Sequence, residues 1–291
     1  MKKFLVMAIA SVVPFNVNPN INENSLIMQA QSDVICGGST GISLLSSMSP
    51  LSNPSLMSLA DKLTLYGGTF FPAIMPELST QFLTSIVYMK PAGIGLSIIR
   101  NGNQNLSQYM VVLGSGIPLY SGFNAGISLL FSTIRTIYGD IYGQKNLLTG
   151  VFAISYVNKP IAVGFRIFNP FNIYINKDVK EIYPQEIAFG SSYFITDMVV
   201  FNLEVNKFYG SKLIIRAGLI SKITDNFGIG ISIHGEPLRP AFGINYENKL
   251  LSVFISAFYH SVLGFSPGIT ISTRLYKKRE STAPSISMLT Q

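Results

Sequence analysis

Tryptophan is missing from these 291 residues, cysteine occurs once and histidine twice. A lone Cys36 excludes an internal disulfide and any thiolate metal cluster. Two histidines on separate segments, with no HExxH, GxSxG or P-loop pattern, leave hydrolytic, nucleotide and metal chemistry without a motif, so no enzyme, cofactor or metal is expected. Charged residues are scarce at 12%, about half the share usual for soluble domains, against 48% hydrophobic. No internal apolar run reaches about 18 residues, so spanning helices are not expected. The net charge of +7 is spread thinly. Lys277-Lys278-Arg279 is the single tight basic cluster, and no basic stripe interleaved with aromatics points to nucleic acid.

What is present is alternation. In FGIGISIHG, residues 227–235, every second residue is Phe or Ile, and the residues between are Gly, Gly, Ser and His. Val199–Asn206, Ile161–Ile167 and Ile269–Leu275 behave alike, with Gly, Ser, Thr, Asn and a few charges opposing aliphatic residues. Period-two alternation places one set on each face of a strand. Strands are expected near 61–71, 79–90, 93–100, 107–116, 121–133, 148–157, 160–168, 185–193, 197–206, 211–220, 225–235, 239–247, 250–260 and 266–276. Each strand with its connection takes about 15 residues, which suits tilted barrel strands of about 9–11. Alternation is less clean over 61–134.

Connections fall in two classes: short ones at every second gap, and longer ones at 134–147 and 169–184. The pattern fits an all-β, closed transmembrane antiparallel barrel of about fourteen strands, with short periplasmic turns and longer outer loops. A large soluble β-sandwich is the alternative that periodicity leaves open. Tyr66, Tyr88, Tyr109, Tyr120, Tyr156, Tyr246 and Tyr259 are expected as interface aromatics, and Leu275-Tyr276 as an aromatic end to the last strand.

The division expected is residues 1–30 as a signal peptide (Lys2 and Lys3, then an apolar run), 31–60 as an N-terminal hatch or plug, 61–276 as barrel and 277–291 as a periplasmic tail. Lipidation of Cys36 is weighed against an ordinary buried thiol. The location is the outer membrane of a Gram-negative bacterium, with its lipid as first partner.

Gly37-Gly38, Asn53-Pro54, the run LIIRAGLISKITDNFGIGISI and the closing AFYHSVLGFSPGITIS together resemble the fourteen-stranded FadL superfamily, most of all its PorV/PorQ branch of type IX secretion. The resemblance covers about 37–276. Ser55 stands where that branch has Ala, while Tyr259-His260 and Leu263-Gly264 match its closing element. It implies a non-enzymatic accessory of protein secretion, with a translocon or cargo domain as partner. The alternative it implies is a FadL-like channel for hydrophobic small molecules. A purely structural membrane protein is a third reading.

Candidate lumen-facing residues are Arg166, Glu186, Glu204, Arg216, Arg274 and His260. The ionisable set is expected either to pair within a plugged lumen or to line a pore. Asn53 and Pro54 are expected to fix a turn of the hatch, since Pro biases its predecessor to extended geometry.

Overall fold

The computed structural model describes residues 32–35, 37–39, 41–60, 63–138, 141–170, 185–235, 238–261 and 264–275. The expected signal peptide, Cys36, most of the 169–184 loop, Tyr276 and the 277–291 tail lie outside the described residues.

Fourteen antiparallel strands close on themselves: β1 (Leu63–Phe70), β2 (Thr80–Met89), β3 (Ala92–Gly102), β4 (Leu106–Pro118), β5 (Phe123–Tyr138), β6 (Ile141–Asn158), β7 (Ile161–Phe168), β8 (Glu186–Phe194), β9 (Val199–Phe208), β10 (Leu213–Lys222), β11 (Phe227–His234), β12 (Arg239–Glu247), β13 (Leu251–His260) and β14 (Gly264–Arg274). Each strand pairs with its chain neighbours, and β1 pairs with β14, from Thr64↔Arg274 to Phe70↔Gly268. Closure leaves no sheet edge unpaired around the ring as a whole. This is the closed antiparallel barrel expected, and the two-sheet sandwich is excluded. Among the described residues no helix is long and apolar enough to cross a membrane.

The alternation sets the two faces. On β11, Gly228, Gly230, Ser232 and His234 are buried inside, while Ile229, Ile231 and Ile233 stand exposed outside. The same outward exposure of large apolar residues recurs around the barrel. β1 begins and β14 ends at one end, here the near end. Its turns are short, as at 90–91, 159–160 and 248–250.

At the opposite, far end the expected loop 134–147 is not a loop. β5 runs to Tyr138 and β6 starts at Ile141, in continuous register from Phe123↔Tyr156 to Tyr138↔Ile141. Its Arg, Thr, Gln, Lys and Asn residues pair across two strands. Polar side chains are no obstacle to a ladder that rises clear of an apolar surface, because the backbone bonds do not depend on them. The wall is therefore tallest at β5 and β6.

Of the expected girdle tyrosines, Tyr109, Tyr156, Tyr246 and Tyr259 lie on the outward phase, and Tyr120 is exposed in the β4–β5 turn. Tyr66 does not. It points inward and packs against Met57, Ala60 and Ile86. Tyr88 shares the inward phase of β2 with Thr80, Phe82, Thr84 and Ile86.

Residues 32–35, 37–39 and 41–60 lie within the barrel: helix α1 (Ser32–Ile35), helix α2 (Ser49–Ser52) and a 3-10 helix, Pro54–Leu59. The segment is Ser-rich and nearly all buried. A buried irregular chain needs partners for its backbone groups. Short polar side chains of its own and of the wall supply them.

Candidate functional site: a plugged, two-sided lumen

The plug meets the inner wall on strand after strand. Ser128 on β5 donates to Pro50 O at 2.6 Å, Ser55 to Ser155 on β6 at 2.8 Å, and Arg166 on β7 to Ser52 O at 3.3 Å. Ser43 and Ser192 on β8 share a 2.7 Å hydrogen bond. Asn202 on β9 donates to Gly37 O at 2.8 Å, and Ser232 on β11 to Ile35 O at 2.9 Å. Ser32 N donates to Thr270 Oγ1 on β14 at 3.2 Å. Tyr66 of β1 and Ile86 of β2 cluster with Met57, and Ala241 of β12 and Phe258 of β13 join the cluster that holds Ile35.

Inward glycines make this approach possible. A Cβ at Gly93 would strike Met57 O, at Gly116 Pro54 O, at Gly126 the Ser55 amide, and at Gly164 Ile42 O. At β10 the contact is glycine on glycine: Gly218 against Gly37 and Gly38, the latter at φ +71. That left-handed conformation favours glycine.

Asn53 and Pro54 do shape the plug. Asn53 is extended at ψ 93 and caps the 3-10 helix, its Oδ1 accepting from Ser55 N at 3.1 Å and Ser55 Oγ at 2.6 Å. Its Nδ2 donates to Ile42 O. Pro54 fills the first helical position, where no amide is needed.

Four of the candidate charges form one network. Arg166 Nη2 meets Glu186 Oε1 at 2.5 Å, and Arg216 Nη1 meets Glu204 Oε1 at 3.3 Å. Asn206 joins the pairs, donating to Glu186 Oε1 at 2.6 Å and accepting from Arg216. Both ends of the chain terminate on the plug: Arg166 on Ser52 O, and Glu204 on Ser39 Oγ at 3.2 Å. Two cations face two carboxylates, all at most 2% exposed. Buried charge is tolerated when paired and hydrogen-bonded.

Arg274 and His260 stand apart from it. Arg274 is inward but at the near rim, paired with Glu247 of β12. His260 is half-buried at the far end of β13, opposite Gly264. Alternation puts Asn202 and Asn206 on the inward face of β9 without assigning them a role, and Glu247 is not among the candidates. The sequence places His234 at a strand end without a role. His234 is fully buried, with Nε2 3.2 Å from Ile35 O and its ring edge-on to Phe258.

The inner wall carries the expected Gly, Ser and Asn, among them Gly93, Gly126, Ser128, Ser155, Ser192 and Asn202, and two buried apolar clusters lie among them. On the far side of the plug, Phe70, Phe82, Ile99, Met110, Leu147 and Phe168 belong to one buried cluster, most of it on β1–β7. On the near side, Leu44 and Leu56 of the plug cluster with Val157, Phe194, Val200, Ile220 and Phe254. The charged network on β7–β10 lies between these layers and on one wall. Among the described residues no group of His, Cys, Asp and Glu is arranged to hold a metal ion. The arrangement packs an apolar cluster on each side of a polar, hydrogen-bonded closure.

No protein-family profile matches the chain, and no curated protein sequence does. Solved structures do match in fold. A FadL homologue of Pseudomonas aeruginosa superposes with a TM-score of 0.55 at 9% identity, over 81% of this chain and 95% of that one. The Ralstonia pickettii toluene transporter TbuX gives 0.59 at 10% identity, over 84% and 98%. The Pseudomonas putida toluene transporter TodX gives 0.53 at 11%, over 84% and 95%. The chain thus has a FadL-like barrel fold.

Proposed function

We propose that this protein is a non-enzymatic outer-membrane conduit for hydrophobic small molecules, with residues 31–60 as its hatch. The observation that carries the reading is the pair of apolar layers, one on each side of the plug. Both layers are packed shut against the plug, and once the plug shifts a hydrophobic solute gains roughly 25 cal/mol for each Å² of apolar surface it buries along them. The toluene transporters that share the fold support the same solute class. The near end, with both barrel termini and short turns, is periplasmic, and the far end faces outward. The outward-facing apolar residues meet acyl chains.

Because the plug touches wall strands around the ring, passage requires it to shift. The secretion-accessory role implied by the PorV/PorQ resemblance has no comparable observation behind it, in the fold or among the neighbours.

A disulfide between plug and wall tests the conduit. Ser43→Cys/Ser192→Cys, in a Cys36→Ser background, places thiols where two hydroxyls now touch. Reconstituted in vesicles, the reduced protein is expected to speed uptake of toluene or a fluorescent hydrophobic probe, and the oxidised protein to lose that gain. Uptake no faster than in protein-free vesicles, or uptake indifferent to the crosslink, overturns the reading.

A further inference from the structure

The outward face changes character within one residue pair at the far end of β2–β6. Leu83, Ile98, Val111, Phe131 and Leu148 lie side by side in register, each between 41% and 59% exposed. The next outward row is Gln81, Arg100, Tyr109, Thr133 and Asn146, again in continuous register. Above it on the same hairpin, Arg135 stands opposite Gln144, both exposed.

The step marks the edge of an acyl-chain layer. On β5 the outward residues Phe123, Ala125, Ile127, Leu129 and Phe131 run below it. Eight steps of about 3.3 Å at a tilt of about 40° rise roughly 20 Å, close to the ~25 Å apolar band of outer-membrane barrels. Arg100 therefore sits at headgroup height. Among the described residues its side chain has neither hydrogen bond nor ion pair. Arg135 is two strands over and two residues up, about 12 Å away by strand spacing and rise.

We infer that the outward face of β3–β6 binds the phosphates of an outer-leaflet glycolipid, with Arg100 and Arg135 each taking a phosphate and the apolar row below receiving its acyl chains. Guanidinium groups match phosphate oxygens in a bidentate fork. Tyr109, between the two arginines, presents an amphipathic ring at the same height. The inference rests on the outer-membrane reading but not on transport.

The test titrates detergent-solubilised full-length protein with diphosphorylated lipid A and with dephosphorylated lipid A, counting bound lipid by native mass spectrometry. One basic side chain near an anionic lipid surface is worth about a fivefold change in affinity, so two give roughly thirtyfold. The diphosphorylated lipid is expected to bind about thirtyfold more tightly. Arg100→Gln/Arg135→Gln should abolish that preference, each single variant should lose part of it, and Lys145→Gln, on the inward phase of the same hairpin, should keep it. Heat-modifiable gel mobility reports that each variant is a folded barrel. Equal binding of the two lipids, an unchanged preference in the double variant, or full displacement by millimolar inorganic phosphate overturns the proposal. A protein that stays dissolved and monodisperse without detergent overturns the membrane reading, and this inference with it. Failed uptake in the crosslinking experiment overturns transport alone.

Discussion

Arg166 and Glu186 face each other across adjacent strands of the inner wall at 2.5 Å, with at most 1% of either exposed. Their contact is held from two sides, by Ser52 O of the plug and by Asn206 of β9. Removing one partner leaves a buried charge unmatched, which typically costs about 3–5 kcal/mol. Glu186→Ala is expected to lower the barrel's denaturant midpoint accordingly, while Arg166→Met/Glu186→Met should recover most of that loss. A double variant no more stable than the single would show that the pair is not the source of the cost.

Gly164 touches Ile42 O with no room for a Cβ. Gly164→Ala must push plug backbone away from the wall, at about 1–3 kcal/mol as for other overpacked sites. Limited proteolysis of the folded barrel should then cut residues 41–60 faster than in the parent. The outward Ala125→Gly change offers a control that leaves the plug alone.

Asn53 spends both ends of its amide within the plug. Asn53→Ala removes a helix cap and strands Ile42 O, a loss of about 1–3 kcal/mol in local stability. Hydrogen exchange over 41–60 is the direct measurement, and faster exchange confined to that segment is the expected result.

Asp33 makes the plug pH-sensitive. It lies on α1, off the strands, and accepts from Ser47 N at 2.6 Å and Ser47 Oγ at 2.8 Å. Burial pushes its carboxyl up from 3.8 to about 6, against the pull of those hydrogen bonds. A group whose docked value is raised favours docking when protonated. Its contribution is complete below about pH 4 and is lost as pH rises through 6. Exchange of the plug amides should therefore quicken, relative to intrinsic rates, between pH 4 and 7. Asp33→Asn should flatten that dependence.

Strand number, closure and the inward placement of Arg166, Glu186, Glu204 and Arg216 were legible because period two fixes which residues share a face. The pairing among them was not, because it runs through Asn206 and the plug, whose position no local pattern states. The blurred alternation over 61–134 has a structural cause. Phe70, Phe82, Ile99, Met110 and Leu130 point inward to an apolar cluster, so both faces of β1–β5 carry oil there. The β5–β6 hairpin escaped for the opposite reason. From Arg135 to Asn146 polar residues fall on both faces, and a ladder of backbone bonds leaves no hydropathy signature. Lys145 and Gln144 therefore resemble loop residues in composition alone.

The seam between β1 and β14 joins residues some two hundred positions apart, Thr64 to Arg274 and Phe70 to Gly268. Nascent chain emerging from the ribosome holds its plug sequence first and the strand that locks it in last. Until Gly268 and Thr270 arrive, Ser32 has no Thr270 hydroxyl to receive its amide. Loss of β14 would thus undo an attachment made from Ser32, and the first strand would be left as a bare template for whatever strand next came by.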